Sequence, residues 1–390
     1  MKAKFPRRDF LKFSLLSIGG AFLASCGRLF KATPKVSPTL AITPSKTVPP
    51  PSTITSTPAP AEPVVSIVKI KDGDIQAAVE EAIDLIGGIK TVASGKERIM
   101  LKPNLVMNNT NCTTKPEVVR SLAALMKKAG KVVTIGEGSA VVDGYNVANG
   151  TACILSDPLK LNAMQHFVFD SLGYTELAKS LDVQLVNLNT GEMVEVDVPG
   201  GGLAYNQLTL HKSLTEIDLL CSVPMMKTHN LAWVTLGMKN LIGLYPGSVY
   251  GTVRSGVHDY AAAKGSPGLA FEVIDMVRAN KLGLVVIDGS TAMEGDGPDN
   301  GKLLQMDVII AGTNPLATDM VAANVMGFTP DEIPNKIPTF VCANSVGMQP
   351  QSLDEIKVVG VPVSSVQRNF ARPNVQPWNG SVYKKCISQL

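Results

Sequence analysis

The sequence predicts an α/β protein: a mainly parallel sheet flanked by helices, with a smaller mixed or antiparallel insertion. Three observations carry this expectation. From Val64 onward, apolar runs of strand length alternate with amphipathic runs of helix length. Several of the strand-like runs are almost wholly apolar, as in strands covered on both faces. Around residues 183–215 the rhythm breaks into short runs, "VQLVNLN", "MVEVDVP" and "NQLTLHKSL", that suit antiparallel strands or an inserted subdomain.

The elements follow in order. "VVSIVKI" reads as the first strand. "DIQAAVEEAIDLIGG" is a helix that begins after Asp74 and stops at Gly87-Gly88. "RIMLKPNL" is a second strand ending in a proline turn. "TKPEVVRSLAALMKKAG" is a helix, with Thr114 and Glu117 as a capping box, Pro116 in its first turn and Gly130 closing it. "KVVTIGEG" is the third strand. "EIDLLCSVP" restores the α/β pattern, followed by an apolar helix "WVTLGMKNLIGLY", the helix "PGLAFEVIDMVRAN" and the strand "LGLVVIDG". "QMDVIIAGTNPLATDMVAANVMGF" reads as strand, tight turn and helix, and "DEIKVVG" as a late strand. The last twenty residues are polar and proline-containing, suited to wrapping the surface.

Charge is distributed by region. Of 36 basic and 33 acidic residues, positions 1–63 take nine bases and two acids, so the body carries 27 against 31. A nucleic-acid partner would favour a positively charged body, and this one is acidic.

Residues 1–26, "MKAKFPRRDFLKFSLLSIGGAFLASC", place basic side chains before a short apolar stretch, the layout of an export signal. "RRDFLK" resembles a twin-arginine signal, with Pro6 where Ser or Thr usually stands. "LASC" resembles a bacterial lipobox, which implies lipidation of Cys26 and a membrane anchor. Residues 27–63 are rich in Pro, Thr and Ser and read as a disordered tether. The expected location is extracytoplasmic, on the outer face of the cytoplasmic membrane.

Beyond Cys26, the cysteines at 112, 153, 221, 342 and 386 are widely spaced and form no C-x-x-C pair. That disfavours an all-cysteine iron–sulfur or zinc site. A disulfide between two of them fits an exported protein, and their odd number leaves at least one thiol unpaired. Cys221, within an apolar run, reads as core.

Ligands of open α/β sheets gather beyond the C-terminal strand ends. Those ends carry Lys102 and Asn104, Glu137, Lys227 and His229, Asp288, and Thr313 with Asn314. Asp319 lies one turn into the following helix. On a parallel sheet they share one side. Lys227 and His229 share a face if the chain is extended there. Lys239 and Asn240 sit in an apolar segment, where a lysine must snorkel or find an anion. His258 lies in a glycine-rich stretch, roughly 243–268, that reads as a lid. His229, Lys227, His258 and Glu137 are the catalytic candidates. Lys102, Asn104, Lys239, Asn240, Thr313, Asn314 and Asp319 are the ligand-binding candidates. Asp288, Glu294 and Asp296, near glycine turns, are candidates for a divalent metal site. The competing structural readings are a solvated acidic turn for the three acids and a helix cap for Asn314. "GEGSA" lacks the dinucleotide fingerprint, which disfavours NAD.

Five blocks, "MLKPNLV", "TTKPEVVRSLAALMKKAGKVVTIGEGSA", "SVPMMKTHNLAWVTLGMKNLIGLYPG", "VIDGSTAMEGDGP" and "VIIAGTNPLATDMVAANVMGF", together resemble the DUF362 family over roughly residues 64–330. The resemblance implies that the lysines, amides and acids in these blocks are its characteristic pattern, and assigns them no reaction. Some members carry ferredoxin-like iron–sulfur segments; this chain lacks their clustered cysteines. Two functions compete on this reading: an exported enzyme acting on a small anionic substrate, with or without metal assistance, and a lipoprotein that binds a small anion or cofactor without turnover. A membrane-surface scaffold is the third.

Overall fold

The computed structural model describes residues 62–148, 150–380 and 383–386. The expected export signal, lipobox, Cys26 and nearly all of the tether lie outside the described residues. No helix among the described residues is long and apolar enough to cross a membrane.

Strands β1 (Val64–Lys69), β2 (Arg98–Pro103), β3 (Val132–Glu137) and β4 (Gln184–Asn187) alternate with helices α1 (Ile75–Leu85), α2 (Pro116–Lys128), α3 (Pro158–Ser171) and α4 (Tyr174–Leu181). Next come β5 (Leu219–Val223), β6 (Met225–His229), β7 (Trp233–Thr235), α5 (Ser255–Ala263), α6 (Ala270–Ala279), β8 (Leu282–Glu294), β9 (Lys302–Gly312), α7 (Pro315–Val325) and β10 (Lys357–Gly360). These ten strands form one sheet, ordered β10-β1-β9-β8-β5-β2-β3-β4, with β6 added along β8 and β7 folded back on β6. Met193–Asp197 and Gln207–His211 pair separately as an antiparallel ribbon. The expected α/β class with a smaller antiparallel element is therefore what the chain adopts. The run "VQLVNLN" belongs to the main sheet instead, because β4 pairs in parallel with β3.

Side-chain alternation divides the core. Ile99, Leu101, Leu219, Cys221, Leu284 and Val286 face α1 and α2. Met100, Leu220, Val285 and Ile287, one residue out of phase, face α6 and α7. Lys102 and Ser222 follow Met100 and Leu220 by two residues, so they inherit the second face. Asp275 of α6 ties down the ribbon by accepting from the backbone amides of Leu203, Ala204 and Tyr205 (2.6–2.9 Å).

Strand β9 departs from expectation, since it runs antiparallel to both β8 and β1. Lys102, Ser222, Val285 and Gly312 occupy one cross-strand row. The chain beyond Gly312 heads away from the rim where β2 and β3 end. Thr313 and Asn314 consequently do not join that rim. Asn314 caps α7, accepting from Ala317 N (3.0 Å) and donating to the Gln349 carbonyl (2.9 Å).

Two local expectations also change. Thr114 makes no capping box; its hydroxyl donates to the Val223 carbonyl (2.6 Å) and faces the sheet. Asp288 serves the helix instead, accepting from Lys115 N (2.8 Å) at the start of α2. The segment 233–244 is not one helix: it is β7 followed by a short 3-10 turn, Lys239–Leu244.

The C-terminal tail wraps the surface, as its composition suggests, and a disulfide joins Cys386 to Cys153. Cys112, Cys221 and Cys342 are free and buried. Trp378 of the tail packs edge-on against the His258 ring (4.8 Å between centroids) and donates to Asp259 (2.6 Å). The tail's last strand-like bond is a single bridge at Ile154. Cys386→Ser should cost about 2–5 kcal/mol of stability, because the cross-link closes a loop with a sequence separation of 233 in the unfolded chain, and should loosen the tail in the native state. Urea unfolding measures the first, and hydrogen exchange the second: amides over 376–380 should exchange faster than in the native protein.

Candidate functional site

The side chains expected at the rim meet in a buried polar network. Lys102, 1% exposed, donates to the Glu137 carboxylate (2.9 Å), to Asn240 Oδ1 (3.0 Å) and to its neighbour Pro103's carbonyl (2.9 Å). Glu137 also accepts from Leu105 N and Gly138 N (both 2.7 Å). Asn240 donates to the Lys102 carbonyl and to Ser222 Oγ (both 3.0 Å) and accepts from Asn104 Nδ2 (3.3 Å). Residues from β2, β3, β5 and the 3-10 turn thus share one set of bonds. Gly138 and Gly243 leave the needed space: a Cβ on Gly243 would stand 2.4 Å from Glu137 Oε1 and 2.7 Å from Lys102 Nζ.

Around this network lie more cations than acids. Lys227, fully buried on β6, donates to the carbonyls of Cys112 (2.6 Å) and Pro298 (3.3 Å). Arg254, entering α5, donates to the Gly138 carbonyl, while its Nε and Nη1 have no partner. Both Val253 and Arg254 hold positive φ (54° and 57°), a strained conformation for such side chains. Lys239 makes no hydrogen bond or ion pair among the described residues. Burial, then the charges of Lys227 and Lys102, pushes its ammonium down to about 7. Burial likewise pushes Lys227 down to about 8.

The two histidines have different roles. His229 Nδ1 accepts from Leu231 N (3.0 Å) and Ala232 N (3.3 Å), so the neutral ring carries its proton on Nε2. Burial and then the charge of Lys239 hold it well below the ordinary histidine range. His229 is therefore built as a hydrogen-bond donor and not as a base. His258 is the reverse. Its Nδ1 meets Glu272 Oε1 (3.0 Å), which leaves Nε2 with a free lone pair. Glu272 is fully buried and also accepts from Ser266 Oγ (2.7 Å).

Other expected residues stand apart. Asp319 accepts from Gly237 N (2.7 Å) and Met238 N (2.8 Å), so it positions the turn that carries Lys239 and Asn240. Asp288, Glu294 and Asp296 are engaged separately, by Lys115 and Ser290, by Ala371 N and by Asn374 N. Among the described residues, no three His, Cys, Asp or Glu side chains are grouped to hold a metal ion. Arg254, Glu272, Ser222 and Trp378 join the site unannounced. Glu272 had a signal, a carboxylate in the apolar helix "AFEVIDM"; Arg254, on an irregular loop, had none.

The class of protein is thus an α/β domain with a buried, cation-rich network at the C-terminal rim of its parallel strands. The model of a domain of unknown function (DUF362) matches residues 99–324, and the chain belongs to this family. The thylakoid-associated protein sll1697 of Synechocystis sp. is 25% identical over 306 residues, 78% of this chain and 84% of that protein. Among solved structures, the lactate racemase apoprotein of Thermoanaerobacterium thermosaccharolyticum is similar at 13% identity and a TM-score of 0.40 over 67% of this chain. A Thermotoga maritima protein is similar at 12% and 0.35 over 63%. The chain spans 56% of the length of each of these two structures.

Asp319→Asn should destabilise the fold about as much as Asp319→Ala, by about 1.5–3 kcal/mol, because an amide accepts only one of the two backbone donors. Urea unfolding measures it; an unchanged midpoint for the asparagine variant would remove the carboxylate's clamping role.

Proposed function

We propose that this chain is an exported, lipid-anchored protein that takes a small anionic organic ligand, a carboxylate or phosphate, into the Lys102–Lys227–Lys239 region. The observation that carries the reading is a charge surplus. Lys102, Lys227, Lys239 and Arg254, four cations, face three acids that act on them, Glu137, Glu272 and Asp299. Lys102, Lys227 and Arg254 are buried and Lys239 is half-buried; buried cations short of counter-charge are costly, and an anion offsets that cost. Lys239 and the His229 Nε2–H supply donors free of protein partners. An enzyme would need a base at the anion, and His258, whose carboxylate-backed ring has that form, opens into a cavity that no lysine lines, so the proposal is one of binding. The donor set gives the proposal no metal step.

The extracytoplasmic placement rests on the leader sequence and is supported by the Cys153–Cys386 disulfide, which suits an oxidising compartment. The curated relative's name also associates that protein with a membrane. On this reading residues 1–26 are the signal, 27–63 the tether and 64–390 the ligand-binding body.

Thermal-shift and calorimetric titrations with inorganic phosphate, pyrophosphate, succinate and citrate test the proposal. At least one anion should raise the midpoint with concentration, and Lys239→Met should weaken it about tenfold or more. Binding draws protons onto Lys239 and Lys227, whose free-state values are about 7 and about 8. Affinity should therefore fall as pH rises from about 7 to 9, by up to about tenfold per unit per lysine. The ligand-free fold should do the opposite, gaining stability over that window, since unfolded lysines stay protonated to about 10.4. No response to any of these anions, or a flat pH profile, would sink the assignment.

A further inference from the structure

A cavity of about 250 Å³ lies between α5, α6 and the C-terminal tail, and none of the lysines lines it. Leu231, Leu269, Pro377 and Trp378 give it apolar walls, with His258 and Glu272 supplying polar atoms. Glu272 spends one oxygen on His258 Nδ1 and the other on Ser266 Oγ. His258 is 4% exposed, and its Nε2 has no hydrogen-bond partner among the described residues.

We infer that this cavity is a second binding site, for a small, largely apolar, neutral molecule whose hydroxyl donates to His258 Nε2. The chemistry follows from the wall. Glu272 fixes the ring with its proton on Nδ1, so Nε2 presents a lone pair and wants a donor. A carboxylate ligand has no proton to give. An ammonium is drawn by Glu272, which acts on His258 more strongly than Lys239 and Arg254, but both Glu272 oxygens are already taken by His258 and Ser266. A hydroxyl meets neither objection. Size fits as well: a dry apolar cavity of about 150 Å³ accommodates benzene, so this one admits a phenol with a few further atoms, roughly ten in all. The inference does not rest on the anion site and can fail independently of it.

Phenol is the probe and toluene its control, which replaces the hydroxyl by a methyl. The full-length protein should bind phenol saturably and toluene about three- to tenfold more weakly, the scale of one hydrogen bond between neutral groups. In a Trp233→Phe background the remaining Trp378 should report phenol by a change in fluorescence. His258→Phe should erase the preference for phenol. Ala262→Phe, on the outer face of α5 at the cavity wall, should block both probes and leave the anion titrations unchanged; it keeps the test intact if the histidine variant fails to fold. Absence of saturable phenol binding, equal affinity for the two probes, or a preference that survives His258→Phe would overturn the inference.

Discussion

The Lys102–Glu137 pair is the interaction on which the rest of the rim depends. Both charges are withdrawn from water, so each must be matched on every side. Glu137 takes Leu105 N and Gly138 N besides the ammonium, and Asn240 completes the shell of Lys102. Such a pair adds little by itself, but losing one partner strands the other at a cost of about 3–5 kcal/mol. That condition fixes much of the neighbourhood. It requires β2 and β3 to end together, the 3-10 turn to descend onto them, and glycine at 138 and 243, where a side chain would enter the network.

A second constraint is the direction of β9. By running against its neighbours it delivers α7 to the face shared with Met100 and Val285 and lets Asp319 reach back to Gly237 and Met238. Thr313 and Asn314 leave the rim for the same reason. One reversed strand thus exchanges two candidate ligand contacts for a clamp on the turn that bears Lys239.

Much of this was legible in the sequence. Apolar runs identified most strands of the main sheet and the helices that cover it, and strand ends singled out Lys102, Asn104 and Glu137, which the fold brings into one network. Period-two alternation put Lys227 and His229 on one face of what is indeed a strand. Strand direction was not legible, since a short apolar run carries no arrow, and the glycine-containing loop between β8 and β9 carries no mark of a hairpin. The tautomers of His229 and His258 were also hidden. They depend on Leu231 N, Ala232 N and Glu272, and only folding brings the last of these to its histidine. The capping box at Thr114 failed because a hydroxyl that meets a sheet carbonyl is no longer free to cap.

The irregular pairing along β8 has a wider implication. Met225 stands opposite Asp288 and Lys227 opposite Met293, so two steps on β6 correspond to five on β8. The surplus acts as a slack that sets the phase of everything after it. A single residue gained or lost there would change which β8 side chain stands beside Lys227, now Met293. The identity of the rim is therefore written partly in a length. Chains that share these lysines and this histidine but differ in the span between Asp288 and Met293 would share an alphabet without sharing a message.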